Sequence, residues 1–212
     1  MFKNLVIAFL FLISMALQAQ VPAGYAPVQD LSLFSTRFTD AAKKTKSIRS
    51  DFMQEKTMTM LSEKIISKGK FSFKKENKVR MEYITPFRYL MIINGTKVYI
   101  RDGKKESTIS TSSNKIFRQV SQIMLDCVSG TVLSNTDFSV RVFENKTNYL
   151  IEMTPVSRGM KEFFKTIQVY AGKSDYSVEK VDMIELSGDF TTLNFTNKEI
   201  NSELPDAVFT LQ

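Results

Sequence analysis

The 212-residue chain has no histidine and one cysteine, Cys127. Histidine is the commonest general base and the commonest metal ligand, so its absence excludes histidine-dependent triads and histidine-ligated zinc sites. Carboxylate-only or lysine-based chemistry survives that exclusion, but no nucleophile with a paired base can be read along the chain. The expectation is a protein that is not an enzyme, with no catalytic residues, no metal and no cofactor. A lone cysteine cannot close an internal disulfide, so even in an oxidising compartment stability must come from packing. The chain also lacks repeats, low-complexity tracts and any linker long enough to divide domains. Residues 20–212 are therefore read as one domain of about 190 residues, enough to bury a substantial core.

Residues 1–19 are set apart from that domain as a signal peptide. Lys3 supplies the positive start, Leu5 to Ile13 is an unbroken apolar run, and Ala19 offers a small residue for cleavage before Gln20. The run is too short for a good membrane span, and no cysteine at the junction invites lipidation. The expected product is exported, soluble and not lipid-anchored. The net charge of +7 becomes +6 once Lys3 leaves. That charge admits an anionic partner such as a lipid headgroup surface, or merely a solvated sheet face, because the lysines interleave with apolar residues. Nothing in the chain reads as a nucleic-acid site.

What is present in quantity is alternation. From Gly69 to Arg101 side chains switch between apolar and polar with the period of two that sends neighbours to opposite sheet faces. Phe71 and Phe73 share a face with Ile65 and Gly69, against Lys68, Lys70, Ser72 and Lys74. After a polar turn at Lys75–Asn77, Val79, Met81 and Tyr83 oppose Arg80 and Glu82. Asn94-Gly95 and Asp102-Gly103 suit the positive backbone angles of tight hairpins. An antiparallel meander follows.

The period changes to helical twice. Asp30 can cap a helix with Leu31, Phe34, Phe38, Ala41 and Thr45 at helical spacing and Lys43, Lys44 and Lys46 at its end. Val21–Gln29 reads as a flexible lead-in. Asn114 can cap a second helix, Lys115–Ser129, stopped by Gly130. Strand patterns also run from Ser50 through Met60, and over residues 137–144, 148–154, 161–170, 176–186 and 189–195. The fold class is α+β, mainly β: a strongly curved antiparallel sheet of about ten to eleven strands, with one apolar face that has to be covered.

That face is rich in Phe, Tyr, Met and Ile instead of compact Val and Leu. Methionine is flexible and polarisable, and suits surfaces that accept ligands of imprecise shape; it also fills ordinary cores. The candidate binding residues are Phe52, Ile65, Phe71, Phe73, Met81, Tyr83, Tyr89 and Met91. The second helix carries apolar residues around more than half its circumference and must bury against the sheet. Ile116, Phe117, Val120, Ile123 and Met124 are its candidate lid residues. Cys127, on the same arc, is expected to behave as a small hydrophobe.

The chain resembles the periplasmic outer-membrane lipoprotein carrier proteins of the Lol system. The marks are the leader, the helix followed by Phe52-x-Gln54, the Gly69-x-Phe71 strand, Pro86, Asn94-Gly95 before Val98-Tyr99, and the closing Asn197-x-x-Ile200 with Phe209. The resemblance implies an incomplete antiparallel β-barrel, its hydrophobic concave face covered by helices as a lid, that shields acyl chains of lipoproteins crossing the periplasm. It also implies an inner-membrane release complex and an outer-membrane acceptor as partners; the protein itself is expected to be a monomer. Another amphiphile, a glycolipid or an acylated product, is an alternative cargo, and a lipid-sensing or interaction module is an alternative use of the fold. Where family members commonly carry an Arg-Pro whose arginine pins the lid, this chain has Lys75 and Glu76. Lysine keeps the charge without the planar fork, so Lys75 is either a less directional latch or part of a solvated turn.

Overall fold

The computed structural model describes residues 21–110 and 115–211, with backbone alone for residues 115–117, 119 and 120. The expected signal peptide and the cap at Asn114 lie outside the described residues. The strands are β1 (Ala26–Pro27), β2 (Ser47–Met58), β3 (Glu63–Lys74), β4 (Lys78–Thr85), β5 (Tyr89–Asn94), β6 (Lys97–Asp102), β7 (Lys105–Ser110), β8 (Phe138–Glu144), β9 (Asn148–Pro155), β10 (Phe164–Gly172), β11 (Val178–Glu185) and β12 (Phe190–Ile200). Three α-helices, α1 (Leu31–Lys44), α2 (Lys115–Ser129) and α3 (Arg158–Lys161), complete the described elements with two short 3-10 turns.

All twelve strands join one antiparallel sheet in the order β1-β8-β9-β10-β11-β12-β2-β3-β4-β5-β6-β7. The edge strands β1 and β7 do not meet, so the barrel is incomplete, as the resemblance implied. Strands β2 to β7 form the expected meander. Its turns place Glu76 and Asn77 at φ of 70° and 60°, and Gly95 and Gly103 at 59° and 58°, the left-handed region that hairpin turns require. Register aligns Phe71 with Met81, Met81 with Met91, and Met91 with Ile100, so one face carries the apolar set. After β7 the chain leaves the sheet as α2 and re-enters at β8, near the opposite edge. Strand β12 then pairs with β2 and stitches the two halves together.

Local chemistry sets the helices. Asp30 Oδ1 accepts a 2.8 Å hydrogen bond from the backbone N–H of Leu33, satisfying an orphan donor of the first turn of α1. Phe34 and Phe38 are buried, whereas Leu31, in the first turn, is 53% exposed. Gly130 ends α2 at φ 74°. A Cβ on it would stand 2.7 Å from Ala42 Cβ, so glycine is also what lets α1 and α2 approach.

Buried side chains gather on the concave face in two clusters. One, beneath α1, includes Phe34, Phe38, Ile151, Met153, Ile167 and Val169. The other includes Phe52, Phe71, Phe73, Val79, Ile93 and Val98. Helix α2 serves both, with Ile123 and Cys127 in the first and Leu125 in the second.

Several features differ from the sequence expectation. The lead-in contains β1, which pairs with β8 through Ala26 and Pro27. Strand β10 starts at Phe164 instead of Lys161 because Ser157 caps α3, which buries Met160. Strand β12 runs on to Ile200 through an irregularity between Thr196 and Glu199, where Asn197 takes φ 52°. The C-terminal turn Asp206–Phe209 packs Phe209 with Leu204 against Leu90 and Ile92, so the outer face of β5 is covered too.

Candidate functional site

Between the concave face and the helices lies a cavity of about 320 Å³, at the small end of the usual range for ligand sites. Strands β2 to β5 supply one wall: Ile48, Phe71, Met81, Tyr83, Tyr89 and Met91. Strands β11 and β12, beside β2 in the same sheet, continue the wall with Val181, Met183, Leu193 and Phe195. The roof is Ile123, Met124, Cys127 and Val128 of α2, beside Phe38, Ala41 and Ala42 of α1. The few polar groups on the lining include Ser50, Gln54, Asp175, Ser177 and Lys198.

Ring contacts fix the aromatic part of the wall. Phe71 meets Phe195 edge-on at 5.3 Å between centroids, and Tyr83 meets Phe52 at 4.9 Å and Tyr89 at 5.7 Å. The Tyr83 hydroxyl donates to Gln54 Oε1 at 2.9 Å. Burial pushes the Tyr83 phenol up to about 12, with Tyr89 adding to it, so the hydroxyl stays neutral at any physiological pH. Burial likewise raises the Cys127 thiol to about 12, aided by the neighbouring Asp126, and leaves it a small apolar group instead of a nucleophile. Among the described residues no cluster of three or more acidic or Cys side chains could hold a metal ion.

Of the candidate binding residues, Phe71, Met81, Tyr83, Tyr89 and Met91 come together on the cavity surface. Phe52 and Phe73 are buried behind it, within the wall. Ile65 shares their face but lies outside the cavity and is 37% exposed: β2 still pairs beside it, but β4 pairs with β3 only from Lys68 to Lys74, so the wall does not continue on that side. Of the candidate lid residues, Ile123 and Met124 line the cavity from α2. The side chains of Ile116, Phe117 and Val120 lie outside the described residues. The methionines divide by position. Met81, Met91, Met124 and Met183 line the cavity, Met153 and Met160 are fully buried core, and Met60 at a hairpin tip is 89% exposed.

Residues 43–212 match the family described as outer membrane lipoprotein carrier protein LolA. The chain belongs to the LolA family. Solved structures with the same architecture include an uncharacterized conserved protein from Thermus thermophilus, with TM-score 0.50 and 10% identity over 83% of this chain and 92% of that one. A LolA superfamily protein from Nitrosomonas europaea superposes with TM-score 0.44 and 11% identity over 84% and 97% of the two chains. The lipoprotein LppX from Mycobacterium tuberculosis gives TM-score 0.44 and 12% identity over 82% and 96%. At such identities the likeness is one of fold. Among curated proteins none matches this chain.

In this LolA-family chain Lys75 is engaged. Its Nζ donates to the backbone oxygen of Lys43, in the last turn of α1, while its own N–H donates to Lys46 O at 2.9 Å. The cation thus sits where the helix dipole is negative. Asp126 escaped sequence reasoning. Buried in α2, its carboxylate accepts from Gln122 Nε2 and Thr131 Oγ1 at 2.8 Å each and from Asn135 Nδ2 at 2.6 Å, which pins the C-terminal end of the roof helix to the segment after it. Val181, Met183, Leu193 and Phe195 were also unassigned, although the alternation of β11 and β12 places all four on the inner face.

Proposed function

We propose that the protein is a periplasmic carrier whose cavity takes up the acyl chains of lipoproteins and shields them on the way from the inner towards the outer membrane. The observation that carries this reading is the cavity itself: sheet walls and a helical roof made mostly of Phe, Tyr, Met and aliphatic side chains. Membership of a family described by lipoprotein carriage supports it, and that family is one of carriers, not of enzymes. No described helix is long and apolar enough to cross a membrane.

A carrier must also open. Helix α2 shares its apolar face between two clusters, so displacing it uncovers the cavity while each sheet half keeps its own packing. Acyl chains prefer the open form because only there do they gain apolar contact. Lys75 is assigned the latch, acting on α1 through Lys43 instead of on α2. An inner-membrane donor and an outer-membrane acceptor are the partners such transport needs.

Mass spectrometry of an organic extract of the protein purified from its own host tests the reading. Acylated polypeptide at a substantial fraction of the protein is expected. Recovery of free glycolipid alone changes the cargo, and an extract without any acylated species removes the carrier function.

A further inference from the structure

Ser50 breaks the apolar pattern of the cavity. It is the cross-strand partner of Phe71, and residues directly opposite in an antiparallel pair share a sheet face, so its side chain projects from β2 to the inner face beside that ring. Ser50 lines the cavity and is only 3% exposed. Its hydroxyl has no hydrogen-bond partner within the protein; among the described residues the only other buried side-chain atom in that position is Ser202 Oγ, which is not on the cavity lining. The surroundings explain the isolation. The rings of Phe71 and Phe195 offer no acceptor, and polar pairs on the lining are closed on themselves: Gln54 with the Tyr83 hydroxyl at 2.9 Å, and Lys198, which donates from Nζ to Ser177 Oγ.

A buried hydroxyl without a partner is costly, and such groups are rare in native structures. Alanine would fill nearly the same space on β2 without that cost. Serine is therefore a liability to the empty protein, offset when something in the cavity accepts its proton.

We propose that Ser50 Oγ is a polar subsite of the cavity and donates a hydrogen bond to the carbonyl oxygen of an acyl ester or amide. This rests on the carrier reading and narrows it. The ligand class is a carbonyl-bearing acyl group, not a bare hydrocarbon, with the carbonyl at the depth of Phe71 and the chain along Met81 and Met91. The interaction leaves every covalent bond intact. Ser50 Oγ has no base beside it among the described residues, so its role is recognition and registration of the chain.

Two fluorescent ligands distinguish this subsite from general greasiness: methyl parinarate, which carries an ester, and diphenylhexatriene, a hydrocarbon without polar atoms. Both are titrated into the purified wild-type protein and Ser50→Ala, and thermal unfolding of both empty proteins is recorded. Ser50→Ala is expected to weaken methyl parinarate about fivefold to tenfold, to leave diphenylhexatriene within about twofold, and to raise the Tm of the empty protein by about 2–4 °C. An equal effect on both ligands, or none on the ester, overturns the subsite while leaving the carrier function standing. A lower Tm in the empty variant shows the hydroxyl to be satisfied within the protein and overturns it too. Failure of both ligands to bind the wild-type protein removes the subsite together with the carrier reading.

Discussion

The ring of Phe52 occupies the space that a side chain on Gly69 would need. The two residues are cross-strand partners in β2 and β3, and a Cβ on Gly69 would stand 2.7 Å from Phe52 Cζ and 2.0 Å from the backbone oxygen of Glu82. Glycine is held here by close approach, since its φ lies outside the left-handed region. The vacancy lets Phe52 lie flat in the wall and meet Tyr83, whose hydroxyl then reaches Gln54.

Gly69→Ala is therefore expected to be strongly destabilising. Relief of the side-chain contact leaves the collision with Glu82 O, so β4 must shift. The cost is about 3 kcal/mol, the upper part of the range for overpacking, which lowers the Tm by roughly 6–12 °C in a chain of this size. Thermal unfolding followed by circular dichroism checks it, and Phe52→Leu in the same chain restores only part of the loss.

Much of this wall was legible in the sequence, because period-two alternation and Asn-Gly or Asp-Gly turns fix strand, face and register together. The limits of α2 were legible for a similar reason: its apolar arc ends at a glycine whose φ is positive. Alternation says which face a residue takes, however, not how far the neighbouring strand extends. Ile65 was grouped with Phe71 on that ground and proves exposed where β4 ends. Nor does local pattern reveal which distant strands pair. That β12 lies beside β2, bringing Phe195 onto Phe71, depends on the whole sheet order. Capping by Ser157 and the buried role of Asp126 rest on single polar side chains, which no periodicity marks.

Cys127 is expected to resist alkylation in the folded protein. With its thiol raised to about 12, about one molecule in ten thousand is thiolate at pH 8, and the sulfur is buried beneath α1 and against the cavity. Iodoacetamide labelling followed by mass spectrometry should be slow in buffer and rapid in denaturant. Lys75→Ala, which frees the end of α1 from its tie at Lys43, should accelerate labelling by up to about fivefold, and Lys75→Arg should restore protection. Equal rates in all three proteins leave Lys75 as turn chemistry without a latch.

Acid should release the C-terminal turn from the outer face of the sheet before it unfolds the protein. Asp206 lies 2.6 Å from Lys74 Nζ and 3.2 Å from Lys78 Nζ, and hydrogen bonds from Lys74 and then Lys78 hold its carboxyl below the ordinary 3.8. A carboxylate depressed in the folded state gives its stabilisation in full above the ordinary value and loses it as pH falls through the folded one. Hydrogen exchange in residues 204–211 should thus be constant from pH 7 to 5, after correction for intrinsic rates, and lose protection below about pH 4. Asp206→Asn should remove that pH dependence.

Titration of cis-parinaric acid into the wild-type protein and Phe71→Glu tests the carrier cavity most directly. Phe71 is in the apolar wall, 5% exposed and edge-on to Phe195, where an ionised carboxylate sits among apolar side chains and an entering chain has to desolvate it. The wild-type protein should bind the fatty acid, and Phe71→Glu, shown by circular dichroism to be folded, should bind it at least about tenfold more weakly. A folded Phe71→Glu variant with undiminished affinity would place the acyl site elsewhere and contradict the assignment of this cavity.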